Sequence, residues 1–172
     1  MTKQDLLKKL ALGETFEFEG FQRGVLFPGH MAEFKSDDHI FKNIEQYYQY
    51  RKAKYFKDVD IIETLLKVSD PVRLRQLGKQ VRRFNQEKWS TMIEIVLFAG
   101  NHLKFIQNPN MARVLLETED KVLAYMNPAD TIWGTGLDML DSRIREPFEW
   151  PGENIFGFSL MDVREEIKDS KD

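Results

Sequence analysis

The 172-residue chain contains no cysteine. That absence excludes a disulfide scaffold and any thiolate metal site, and it suits a reducing compartment. Long apolar runs are missing too: nothing approaches the ~20 consecutive residues that cross a bilayer. The N-terminal MTKQDLLKKLALGE carries Leu6, Leu7 and Leu10, but Asp5, Lys8 and Lys9 interrupt them. It predicts an amphipathic helix over 3–12, within an N-terminal segment 1–14, rather than a signal peptide. A cytoplasmic protein is expected. Glycine and proline are sparse, at ten and six residues, and no linker, repeat or low-complexity block is visible. The three histidines, His30, His39 and His102, fall in separate segments without the i,i+4 pairing of a helical metal site. No metal and no cofactor are expected. G-x-S-x-G, a Walker A loop and a G-x-G-x-x-G following a strand are all lacking.

What is present is a globular composition, 42% hydrophobic and 31% charged, on a chain long enough to bury a core as a single domain over 1–172. ETFEFEGF alternates Phe16 and Phe18 with acids, as a half-buried strand does. Gly20, Gly24, Pro28 and Gly29 punctuate a loop after it. Helices are predicted over 44–57 and 59–67, and Asp70–Pro71 reads as an N-cap followed by a first-turn proline. From 87 to 107 one long core helix is predicted, with Trp89, Ile93, Val96 and Leu97 on its buried stripe. Pro109 ends it and NMARVLLET begins another. KVLAYM suits a short strand, NPADTIWGTGLD a structured loop, and 138–152 an irregular segment. NIFGFSLMDVREEI closes as a helix over the core, and residues 168–172 form a tail expected to fray. The class is α+β, predominantly helical with a few short strands.

The formal net charge is −3, so the chain as a whole is no polycation. PVRLRQLGKQVRRFNQ nevertheless holds five cations and no acid. On a continuous helix Arg75, Lys79, Arg82 and Arg83 share one face, either solvated or facing phosphate. In the 44–57 helix, Glu45, Tyr48, Gln49 and Lys52 fall at i, i+3, i+4 and i+7. Glu45 and Lys52 then lie about 10 Å apart along the axis. The stripe is either an ordinary solvated face or the wall of a slot for a polar, ring-bearing ligand. In ADTIWGTGLD no helix follows the glycines, which argues against a phosphate turn. Asp130 there either serves chemistry or caps the turn before Ile132.

EQYYQYRKA, DPVRLRQLGKQVRRF, Trp89, LKFIQNPNMARVLLET, DTIWGTGL and WPGENIFGFSLMDVR follow one another at spacings that resemble the NADAR superfamily, from about residue 16 to residue 167. The resemblance implies a NADAR-like fold and hydrolysis of N-glycosyl bonds, on early riboflavin-pathway intermediates or on guanine carrying ADP-ribose. It places the family's Glu at Glu45, its Lys–Ala pair at Lys52–Ala53 and its block tryptophan at Trp89. It likewise matches Lys104–Phe105, Asp130 and Trp133 ahead of Gly134 and Gly136, and the late Trp150, Gly152 and Asn154. Gln46 stands where the family often has His, Ile93 where it has Arg, Tyr125 where it commonly has Glu, and LFPGHMAEF replaces a serine-containing segment.

The resemblance implies Glu45, Lys52 and Asp130 as catalytic residues and Trp89, Trp133, Gly134, Gly136 and Asn154 as substrate contacts, to which the slot reading of the helical stripe adds Tyr48 and Gln49. A C–N bond at ribose C1′ breaks through an oxocarbenium-like state, which asks for an anion and a route for water but not for a metal. Glu45 is expected to act as the base and to stabilise the cation, Asp130 to meet ribose hydroxyls or share proton transfer, and Trp133 and Trp89 to stack on base or sugar. Lys52 is expected either to pair with a phosphate or to attack the opened sugar as an amine if burial lowers its proton affinity. The expected partner is a ribosyl-heterocycle or ADP-ribosyl substrate, with ADP-ribosylated nucleic acid favoured by the basic segment. The alternative is a non-catalytic module that binds ADP-ribose or a nucleotide, its lost turnover marked by Gln46, Ile93 and Tyr125.

Overall fold

The computed structural model describes residues 1–170. In chain order they form α1 (Lys3–Ala11), β1 (Phe18–Phe21), β2 (Phe34–Ser36), β3 (His39–Phe41), α2 (Ile44–Tyr55), α3 (Val59–Leu66), α4 (Pro71–Gly78), α5 (Gln86–Ser90), α6 (Ile93–Gln107), α7 (Pro109–Leu116), β4 (Val122–Tyr125) and α8 (Ile155–Asp169). Two 3-10 turns, Ser142–Arg145 and Pro147–Glu149, occupy the segment expected to be irregular. Helix outweighs strand, as the α+β class requires. None of the helices among the described residues is long and apolar enough to cross a membrane. Two compact units emerge, one from residues 1–27 with the chain from Asn110 onward, the other Pro28–Pro109.

The first unit is built on β1 and β4, which pair in parallel from Phe18↔Val122 to Phe21↔Tyr125. Gly20, expected in the loop, sits inside β1, where a Cβ would lie 2.7 Å from Ile144 Cδ1. All four residues of β4 are buried, so its sequence is a continuous apolar run rather than an alternation. α8 packs on β4 because Gly157 carries no side chain; a Cβ there would meet Leu123 O at 2.1 Å. Phe21, Tyr125, Phe156 and Trp133 form a chain of rings with centroids 5.5–5.7 Å apart. At the C-terminus, Lys168 and Asp169 belong to α8 rather than to a frayed tail, and Lys168 Nζ pairs with Asp120 at 2.8 Å. Lys171 and Asp172, the end of that expected tail, lie outside the described residues.

The second unit wraps α3, α4 and α6 around α2, with the antiparallel β2–β3 hairpin beside it. Nine residues of α2 are buried, Ile44 to Tyr50 together with Lys52 and Ala53, so the helix is enclosed on nearly every side despite its polar sequence. The single helix expected over 87–107 is two. Ser90 Oγ donates back to Glu87 O (2.7 Å) and Thr91 Oγ1 to Lys88 O (2.9 Å), and α5 ends there before α6 begins at Ile93. The buried stripe survives the break, with Trp89, Ile93, Val96 and Leu97 all in the core.

The continuous basic helix does not form either. α4 stops at Gly78, and Asp58 captures the following turn: its Oδ2 accepts from Arg82 N (2.8 Å) and its Oδ1 from Arg82 Nη2 (2.6 Å). Arg82 also pairs with Asp60, and Arg83 turns into the left-handed region at φ 58°. Arg75, Lys79, Arg82 and Arg83 therefore do not share a helix face.

Candidate active site

α2 (Ile44–Tyr55) holds four of the residues expected at the site, Glu45, Tyr48, Gln49 and Lys52. Asn43 caps it, its Oδ1 accepting from Gln46 N at 2.9 Å while its Nδ2 donates to Ser69 O at 2.7 Å. Glu45 thereby falls in the first turn, where the helix dipole favours a carboxylate. It is 1% exposed, and both oxygens are held: Oε1 accepts from Gln49 Nε2 at 2.9 Å and Oε2 from Arg75 Nε at 3.0 Å. The solvated-face alternative for this stripe is thus removed, since Glu45, Tyr48, Gln49 and Lys52 are all buried. Arg75, a candidate for phosphate, spends its Nε on Glu45 while its side chain stays partly exposed. Lys79 and Arg83 remain exposed, and Arg82 is neutralised by its two aspartates.

Two turns beyond Glu45, the Lys52 amine stands 5.3 Å over the Phe84 ring. Burial pushes it down to about 8, against the opposing pull of the Glu45 charge. Below that value the amine stays mostly protonated, with a larger neutral fraction than an exposed lysine has. A second buried amine, Lys104 in α6, is pushed down to about 7 by desolvation alone, and His30 is lowered by burial and then by the Lys104 charge. Among the described residues no three His, Asp or Glu side chains gather as metal ligands would.

Trp89 is placed differently from the stacking role expected of it. Its indole is enclosed by Tyr48, Tyr55 and Phe56, with centroids 5.3–6.1 Å away, and its Nε1 donates to the Tyr48 hydroxyl at 2.7 Å. Tyr48 and Trp89 act as a buried couple that fixes α5 against α2. Gln46, the departure from the family's histidine, is structural. Its Nε2 donates to Leu65 O (3.1 Å), Leu66 O (3.1 Å) and Val68 O (2.8 Å), tying down the C-terminal carbonyls of α3, while its Oε1 accepts from Lys42 N (2.7 Å). Ile93 is likewise a core residue.

In the first unit, Asp130 Oδ1 accepts from Ile132 N (3.0 Å) and Trp133 N (2.8 Å), so the turn-capping alternative is realised. Trp133 is buried and stacked on Phe156 at 5.7 Å and 18°. Gly134 and Gly136 admit protein rather than ligand. A Cβ on Gly134 would lie 2.9 Å from the carbonyls of Asp130 and Tyr125; Gly136 has φ 74°, and its Cβ would meet Pro151. Asn154 is not a substrate contact. Fully buried at φ 54°, it accepts from Tyr125 N and donates to Leu123 O, both at 2.8 Å, and so spends its amide on the β4 backbone. Tyr125, at the family's glutamate position, is buried in the ring chain.

Sequence reasoning missed the Arg75–Glu45 pair, because a run of cations hides which one is spoken for. It also missed Gly78, against which the Gln49 amide is pressed. The only signal was a glycine inside a helix pattern.

The comparisons with known proteins agree with this architecture. A family model for the NADAR domain matches residues 15–168. An N-glycosidase of Acanthamoeba polyphaga mimivirus is 34% identical over 142 residues, 81% of this chain and 84% of that one. A riboflavin biosynthesis protein of Vibrio vulnificus is 31% identical over 126 residues, 73% of this chain and 30% of that longer one. In fold, the NMR structure of the E. coli protein YbiA matches with a TM-score of 0.74 at 23% identity, covering 92% of this chain and 89% of that one. On these matches, and on the order and spacing of its blocks, the chain belongs to the NADAR domain family.

Proposed function

We propose that the chain is an N-glycosidase that hydrolyses the C–N bond between ribose C1′ and an amino-heterocycle nitrogen, with a small phosphoribosylated metabolite as substrate. The observation that carries the reading is the buried α2 stripe, where a fully gripped Glu45 carboxylate precedes a Lys52 amine brought down to about 8. The names of related N-glycosidases support the reaction class, and the name of the Vibrio relative supports the substrate class. The dispersal of the basic segment favours a small metabolite over nucleic acid. Arg75 serves Glu45, Arg82 serves Asp58 and Asp60, and the net charge is −3.

In the proposed reaction, the exocyclic nitrogen opens the ribose by expelling O4′, which takes up a proton, and leaves an iminium at C1′. Lys52 adds to C1′ as the neutral amine. The proton it sheds passes by way of Glu45 to the heterocycle nitrogen, which departs as the free amine. Water adds to the remaining lysine imine, the C1′–Nζ bond breaks, and the sugar is released as an aldehyde that recloses. One water is consumed and nothing is oxidised. Asp130, matched only through the family, enters the proposal as a residue that supports turnover from its own loop.

Borohydride added during turnover of a phosphoribosylaminopyrimidine traps a Lys52 adduct, visible as a mass increase on the peptide carrying Lys52. Glu45→Gln loses at least about a hundredfold in kcat, the lower bound for a positioned proton-transfer group. Binding of ADP-ribose without release of any heterocycle would instead favour a non-catalytic module.

A further inference from the structure

Gly78 is the last residue of α4 and lies against α2. Its conformation does not require glycine, since its φ is not among the positive values of the chain. Helix propensity disfavours glycine at such a place relative to alanine. The reason for the missing side chain is a contact. A Cβ on Gly78 would stand 1.9 Å from Gln49 Oε1, 2.4 Å from Cδ and 3.1 Å from Nε2. Gln49 is 5% exposed, and its Oε1 is buried with no hydrogen-bond partner. Only Nε2 anchors the amide, and its partner is Glu45 Oε1 at 2.9 Å. A buried amide oxygen left unsatisfied is costly. Here it is the cost of turning the donor end of Gln49 towards the carboxylate.

α4 therefore grips Glu45 twice from two positions three residues apart. Arg75 reaches Oε2 directly, and Gly78 presses the Gln49 amide into place so that its donor reaches Oε1. We infer that Gly78 is a positioning residue for Glu45, acting through Gln49, so that the fit of α4 on α2 sets the orientation of the carboxylate. This inference rests on the catalytic reading of Glu45. The atom a new Cβ would strike is the end of a flexible side chain, so alanine displaces Gln49 rather than unfolding the helix.

The test is a double-mutant cycle of Gly78→Ala, Gln49→Ala and the pair, with Glu45→Gln as reference and a phosphoribosylaminopyrimidine as substrate. It is paired with NMR of the Gln49 side-chain amide. Expected are a melting temperature for Gly78→Ala within a few degrees of wild type and a shifted Gln49 amide signal. With them come a kcat at least about tenfold lower, the size of one lost hydrogen bond to a charged group, and a KM within about threefold. Because both changes remove the same bond, the pair is no slower than Gln49→Ala alone. An unmoved Gln49 signal overturns the inference. So does a Gly78→Ala kcat within twofold of wild type while Glu45→Gln is inactive, or costs that multiply in the double variant. If Glu45→Gln itself turns over normally, the catalytic reading fails, and with it Gly78's part in turnover.

Discussion

Replacing Lys52 by methionine separates stability from activity, and the size of the effect follows from burial. In the fold the amine falls from an ordinary 10.5 to about 8, chiefly through desolvation. At about 1.4 kcal/mol per tenfold change in proton affinity, this is a cost of about 3 kcal/mol for keeping the charged form inside. Below pH 8 the lysine is protonated in both the folded and unfolded chains, so the cost is present in full. Between about 8 and 10.5 the unfolded chain holds a proton that the folded chain has released, and wild-type stability gains as the pH rises. Methionine keeps the stem and its packing on Phe84 without the charge. Lys52→Met is therefore expected to be more stable than wild type at pH 7 by up to about 3 kcal/mol and to be inactive. Its advantage shrinks to little by pH 10.5. Urea unfolding of the two proteins at several pH values measures the difference, and taking that difference cancels every other titrating group. A variant less stable than wild type at pH 7, or an advantage that does not change with pH, would refute the burial argument.

The same amine predicts a pH–rate profile in which kcat rises about tenfold between pH 7 and 9 as Lys52 loses its proton; an electrostatic role in the ammonium form would make it fall. Asn154→Ala strands Tyr125 N and Leu123 O and places alanine at φ 54°. Chemical denaturation should show a loss of about 3 kcal/mol or more. Gln46→Ala frees the end of α3 and is expected to cost about 2 kcal/mol of stability while KM stays within a factor of two, because its amide serves carbonyls. Arg82→Ala should leave the salt dependence of turnover unchanged, since its charge is already matched by Asp58 and Asp60.

Local chemistry made some of this legible from the chain. Asp70 caps α4 through Arg73 N at 2.7 Å, ahead of Pro71, as the dipeptide predicts, because a cap needs only neighbours in sequence. The spacing of Glu45 and Lys52 was readable for the same reason. Their burial was not, because the polarity of α2 says nothing of the three helices that enclose it. The β2–β3 hairpin escaped because two three-residue strands show too little periodicity, and its turn uses Asp37 at φ 50° rather than glycine. The basic run misled because Asp58 and Asp60, two dozen residues earlier, decide where Arg82 points. Asn154 was expected to contact substrate, because the pattern could not distinguish a ligand amide from one that completes a strand.

The parallel pairing of β1 with β4 constrains the order in which the molecule can be made. Phe18 waits for Val122, about a hundred residues later, and all of Pro28–Pro109 is synthesised in between. On a ribosome the first unit is an open bracket: β1 emerges early, with no partner strand until β4 and α8 have cleared the exit. Holding such distant ends together costs about 4 kcal/mol of chain entropy by the loop-closure scaling. Pro28–Pro109, contiguous and carrying Glu45 and Lys52, has no such wait. A nascent chain stalled after Pro109 would already hold every residue of the α2 site, with the bracket still unclosed.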